Sequence, residues 1–226
     1  MATDRRTAIL EAAARTLTRR GVRGLRVDEL AAEAGVSTAL VYYHFKDRSG
    51  LLRRTLEFLT DRARQYTAGQ NGAAAPADPR VLLELALLGG LPDTPGVPDT
   101  PGVPDDSTAW SELRAGAVFE PELRAALAEA GAARVREVTG LLARVRPAAG
   151  PTELSSSAER LTALREGLDA RRLGGVLHPR HARALMREAI GVEIAHLSRA
   201  VRPNQPVQPT QPTQPVDAST PPPQFD

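Results

Sequence analysis

Apolar residues recur along this chain at spacings of three and four, the period of an α-helix. No alternating run of Val, Ile, Thr or Tyr lies between turn residues, so nothing reads as a strand. A first helix is predicted from about Asp4 to Arg20, with Thr3 or Asp4 as its cap. Ile9, Leu10, Ala13, Ala14 and Leu17 share one face, and Gly21 ends it. A short helix follows over about Asp28 to Ala34, with Leu30 and Ala31 inward. Gly35 suits the left-handed turn after it. Ser37 can cap a third helix, about Thr38 to Phe45, and Asp47 or Ser49 a fourth that reaches about Tyr66 with Leu51, Leu52, Leu56 and Leu59.

Beyond this point punctuation sets the elements. The segment AGQNGAAAPAD reads as a flexible joint, and Asp78-Pro79 as a cap with proline in the first turn of helix five. The tandem PDTPGV repeat inside 92–106 carries too many prolines for a helix and predicts a long irregular loop. Helices resume near Ser107 and again at Glu120-Pro121, the latter running to about Val145. Ser156 and Glu159 have the spacing of a capping box for a helix ending near Leu173, and Pro179 opens the last helix. From 203 to 226 the repeated Gln-Pro-X triplets read as a disordered, polyproline-II-like tail.

Composition narrows the classes. Zero cysteines exclude disulfides, thiolate metal sites and thiol catalysis. No apolar run is long enough to span a bilayer, and MATDRRTAIL lacks the apolar core of a secretory signal, so a cytoplasmic protein is expected. Residues 1–66 carry 13 Lys/Arg against 8 Asp/Glu, a net of +5, while the remainder is net −3. A basic N-terminal third joined to a mildly acidic body points to a polyanion partner for the first part alone, against a merely salt-laced surface.

Helices two and three, joined by AGVS, have the proportions of a helix-turn-helix. The chain has only 8 aromatic residues, yet three fall in the tetrapeptide YYHF at 42–45. Packing so small a unit needs Phe45 and at most one tyrosine. Thr38, Ala39 and Leu40 stand at the end of helix three that would meet base edges. Tyr42, Tyr43 and His44 can hydrogen-bond phosphate oxygens, as can Ser37. Arg26, Lys46 and Arg48 add charge beside the backbone. The competing reading makes VYYHF plain core.

Residues 5–60 resemble the TetR family of bacterial one-component regulators. The likeness rests on ILEAAARTLTRRG, VDELAAEAGVS, LVYYHF and the Leu-Leu pair of helix four. It implies an all-α protein: a three-helix helix-turn-helix DNA-binding head (1–48, with helix four, 49–66, as connector) and a helical ligand-binding and dimerisation body (67–202). It further implies a homodimer on a double-stranded DNA operator of pseudo-palindromic form, base contacts near Thr38–Leu40, phosphate contacts at Tyr42 and His44, and repression as the usual mode. Departures from the pattern are Arg26, where a Ser or Thr usually caps helix two, Arg48 in place of a lysine, and Gly50, which is expected to loosen the start of helix four by up to ~1 kcal/mol.

The resemblance says little about an effector. Candidate pocket residues are Phe58, Leu85, Leu88, Trp110, Leu113, Arg114, Phe119 and Leu142, which would suit a hydrophobic or amphipathic small molecule. Leu161, Leu164 and Leu168 of helix eight, with Leu185, Met186, Ala189, Ile190, Ile194 and Leu197 of helix nine, are the candidate dimer interface, in the company of Gly167, Gly174 and Gly191. No phosphate loop, dinucleotide fingerprint or nucleophile elbow occurs, and His178, His181 and His196 lack convincing ligand spacing. No catalytic residue, metal site or cofactor is therefore expected. The alternatives are a helical protein-interaction module and a ligand-independent regulator using the same head.

Overall fold

The computed structural model describes residues 4–67, 78–91 and 106–200. The described residues form helices without strands: α1 (Arg5–Arg20), α2 (Val27–Ala34), α3 (Thr38–Phe45), α4 (Arg48–Thr67), α5 (Pro79–Leu88), α6 (Ser107–Gly116), α7 (Pro121–Val145), α8 (Pro151–Leu173) and α9 (Pro179–Ala200). The expected joint over 68–77, the repeat over 92–105 and the tail over 203–226 lie outside the described residues.

Local chemistry explains most boundaries. Ser37 Oγ accepts from the Leu40 amide and caps α3. Asp78 does the same for the Arg80 amide at the start of α5, with Pro79 in the first turn. Gly35 ends α2 in the left-handed conformation, at φ 67° and ψ 34°. The α2 cap position is Arg26, whose side chain makes no cap bond.

One predicted start is wrong. α8 begins at Pro151, with Gly150 as its flanking residue, so Ser156 and Glu159 sit inside the helix on its exposed side and form no capping box. Proline has no amide hydrogen to satisfy and a φ already suited to the first helical turn.

Two apolar cores result. The first joins α1, α2, α3 and α4 through Ile9, Leu17, Leu30, Val41, Phe45, Leu52 and Leu56. It continues without a break into α6 and α7 through Ala109, Leu113 and Leu123. The second joins α5, α7, α8 and α9 through Leu83, Leu87, Val138, Leu142, Leu161, Met186 and Ile190.

The expected dimer residues are redistributed by this packing. Leu161, Leu168, Met186, Ile190, Ile194 and Leu197 are buried inside the chain's own body core, and Leu185 and Ala189 pack against it. Of the nine, only Leu164 is exposed. Burying each large apolar side chain is worth roughly 1.5–3 kcal/mol. These six cannot turn outward toward a second copy without dismantling the body.

The head is tied to the body at the turn after α1. The Val22 amide donates to Glu112 of α6 at 3.0 Å. The Val22 carbonyl accepts from the Arg48 guanidinium, which also pairs with Glu120, just before α7, at 2.9 Å. Nearby, Arg62 of α4 forms a bidentate pair with Asp106 at the start of α6 and lies over the Phe58 ring, 4.9 Å from its centroid.

Replacing Glu112 with alanine leaves the part-buried Val22 amide without its acceptor and is expected to cost about 1–3 kcal/mol. Glu112→Gln keeps an acceptor oxygen and should recover most of that loss in urea unfolding. Equal stability of Glu112→Ala and the parent would show that this bond does not hold the head.

Candidate nucleic-acid interface

α3 divides cleanly by face. Val41 and Phe45 enter the head core, and Leu40 is half-buried. Thr38 and Ala39 are exposed at its N-terminal end. Tyr42 is 46 % and Tyr43 80 % exposed, so neither tyrosine is needed for packing. His44 is half-buried, its ring edge-on to Tyr43 at 5.3 Å and tilted against Phe45 at 6.0 Å. The Ser37 oxygen is engaged as the cap acceptor, which leaves its O–H to donate elsewhere. One exposed surface thus carries a small hydroxyl, two phenols and an imidazole on a helix fixed from behind by two apolar anchors.

The basic residues separate into two groups. Arg26 and Lys46 are exposed and take part in no ion pair among the described residues. Arg48 was expected to meet phosphate. Its guanidinium is instead committed to Glu120 and the Val22 carbonyl, so it serves as a strut between head and body. A phosphate contact would require it to give up both bonds.

Opposite charges elsewhere in the head are largely used up internally. Glu33 takes hydrogen bonds from Arg15 and Arg19, and Glu29 pairs with Arg20. Burial alone would raise the Glu33 pKa, but the hydrogen bonds from the two guanidinium groups outweigh it and hold the carboxyl below its usual range.

A backbone feature that the sequence did not signal lies at the end of α3. Lys46 has φ 65° and ψ −57°, and the Asp47 amide donates to the Phe45 carbonyl at 2.8 Å. This is a γ-turn of the rare, strained hand. It carries the Phe45 carbonyl over the first turn of α4, where a Cβ on Gly50 would collide with it. Gly50 therefore does not loosen α4. The close approach requires it, and its amide donates to Asp47 Oδ1 at 2.7 Å.

Among the described residues, the eight candidate pocket residues are divided among several places. Phe58, Trp110 and Leu113 belong to the core shared by head and α6. Leu88 and Leu142 are buried in the body core. Arg114 pairs with Glu166 at 3.3 Å, and Phe119 is 74 % exposed with Arg23 over its ring. Leu85 and Leu88 line a groove of about 140 Å³ with Val81, Glu84, Gly89, Arg183 and Arg187. α6 packs against α1 and α4 of the head, which its amphipathic pattern alone does not reveal.

Lys46→Gly should relieve the turn and raise stability by about 1 kcal/mol in urea unfolding. Gly50→Ala should lower it by roughly 1–3 kcal/mol. A destabilised Lys46→Gly would show that the turn is not strained.

Comparison with known proteins places this geometry. Residues 9–55 match the family model described as bacterial regulatory proteins, tetR family. A crystal structure from Rhodococcus sp., of a protein assigned to the TetR family of transcriptional regulators, is similar with 40 % identity and a TM-score of 0.71; the match covers 84 % of this chain and 98 % of that one. A protein from Saccharomonospora viridis assigned as a transcriptional regulator, solved with choline, shares the fold at 24 % identity and a TM-score of 0.64, over 84 % of this chain and 95 % of its own. The HTH-type transcriptional regulator BetI of Cronobacter sakazakii is 26 % identical over 119 residues, 53 % of this chain and 56 % of that protein. The chain thus spans about half the length of the curated relatives it matches. With the Rhodococcus protein aligned over almost its whole length, the chain belongs to the TetR family of bacterial transcriptional regulators.

Proposed function

We propose that the protein is a ligand-released repressor that binds a pseudo-palindromic DNA operator as a homodimer. The observation that carries this reading is the outward face of α3, where exposed polar aromatics stand beside a small-residue end on a helix that Val41 and Phe45 anchor. Thr38 and Ala39 lie where a recognition helix meets base edges, with Leu40 beside them. Ser37, Tyr42, Tyr43, His44, Arg26 and Lys46 surround them as donors for phosphate. Phosphate contacts fix position, and base-edge contacts set sequence. A TetR-family regulator with this surface needs no catalytic group.

The dimer is assigned to the outer flank of the last two helices rather than to their apolar stripes. On α8, Ala163, Leu164, Gly167 and Ala170 are exposed. On α9, Ala184, Val192 and Ala195 are exposed, with Val192 at 57 %. A Cβ on Gly167 or Gly191 would meet nothing within 4 Å, which leaves room for close approach of another helix. Two heads about one helical turn of DNA apart, about 34–36 Å, would read the two halves of a palindrome.

An effector would act through the grip on Val22. A ligand that binds differently to two arrangements of α6 and α7 shifts the head through Glu112 and Glu120. The choline complex belongs to the S. viridis protein, and at 24 % identity it supports the body as a ligand-binding fold and nothing finer.

In titrations of operator fragments, Tyr42→Phe should weaken binding to all sequences alike. Thr38→Ala should alter base preference by roughly 1–3 kcal/mol at one position of each half-site. Unchanged preference in Thr38→Ala would contradict the placement of α3. Val192→Glu should shift the protein from dimer to monomer in sedimentation while its helical content stays, and an intact dimer would overturn the assigned face.

A further inference from the structure

Resting on the reading of the body as an effector-binding unit, we propose that it holds an anionic ligand group beside the end of α5, bound by the Arg165 guanidinium and the Thr162 hydroxyl. Both residues lie on α8, three positions apart and so on one face. Arg165 Nε and Thr162 Oγ1 are buried, and neither has a hydrogen-bond partner among the described residues. Unmatched buried donors are uncommon in folded proteins, and two on one face point to an acceptor that the described residues do not supply.

Charge identifies the kind of acceptor. Around Arg165, three arginines have carboxylate partners: Arg114 with Glu166 at 3.3 Å, Arg134 with Glu137 at 3.0 Å, and Arg172 with Asp169 at 2.8 Å. Arg165 appears in no such pair among the described residues. Its Nη2 donates to the Gly89 carbonyl at 2.8 Å. Burial, with Arg134 and Arg114 adding repulsion against the pull of Asp169 and Glu166, lowers its pKa to about 10. The group remains a cation at neutral pH.

A purely structural role accounts for only part of this. Cations favour the carbonyl end of a helix, and Arg134 and Arg183 also donate to carbonyls near the end of α5, those of Ala86, Leu88 and Leu91. That role uses Arg165 Nη2 and leaves Nε and the Thr162 hydroxyl unmatched. A trapped water could match the hydrogen bonds but not the charge. A carboxylate or phosphate matches both, since each presents several acceptor oxygens to one guanidinium. A quaternary ammonium group would meet like charge, so the site is unsuited to choline.

The test uses the full chain in the absence of DNA and three probes with the same tail: octanoate, octyl phosphate and octyltrimethylammonium. Isothermal titration and thermal melting should show saturable binding and a raised Tm with an anionic probe and neither with the ammonium. The stronger of the two anions distinguishes a carboxylate source from a phosphate source. Arg165→Gln should weaken that binding about tenfold or more. Thr162→Val should weaken it several-fold without lowering the Tm of the ligand-free protein, and this variant decides the matter if Arg165→Gln fails to fold. Equal binding of the ammonium, no saturation with either anion, or unchanged affinity in the variants would overturn the proposal. Salt-dependent DNA binding of the ligand-free chain is a separate titration, so failure of the regulator reading and failure of the anion site are told apart.

Discussion

The peptide at Val22 is the constraint on which the arrangement of this molecule depends. Its amide is held by Glu112 and its carbonyl by Arg48, and Arg48 is itself held by Glu120. Residues from α4, α6 and the entry to α7 thereby converge on one turn of the head. The second oxygen of Glu120 is buried without a partner among the described residues, so the grip is not fully satisfied. The apolar core running from α1 through α6 into α7 keeps the two sides in register around it.

The recognition surface has the same logic of strain held by packing. The γ-turn at Lys46 costs backbone energy, yet Phe45 in the core on one side and Asp47 bonded to Gly50 on the other leave it no alternative. The turn fixes the end of α3 and exposes the only lysine in the chain. The helix is thus rigid where it faces inward and polar where it faces out, as a reader of a stiff polyanion requires.

Much of this was legible in the residues. The helix-turn-helix, the Ser37 and Asp78 caps and the Phe45 anchor follow from spacing and capping chemistry, which act over a few residues. What failed depended on long-range packing. The apolar stripes of α8 and α9 predict burial but not against what, and the structure spends Met186, Ile190 and Leu197 inside one chain. Arg48 looked like a phosphate ligand because Glu120, its partner, lies 72 positions away. Gly50 looked like a weak helix start because the carbonyl that excludes a side chain there belongs to a turn no pattern reveals. The unmatched donors of Arg165 and Thr162 likewise emerge only once their neighbours are paired.

In the proposed regulator, the outward face of α3 reads DNA as one of two heads. A footprint of the full chain on fragments of its own genome, at two salt concentrations, is the deciding measurement. The expected result is a protected pseudo-palindrome whose occupancy falls steeply as salt rises, with Lys46, Arg26 and the helix-three donors displacing counterions from phosphate. No protected site at either concentration, or protection indifferent to salt, would contradict it.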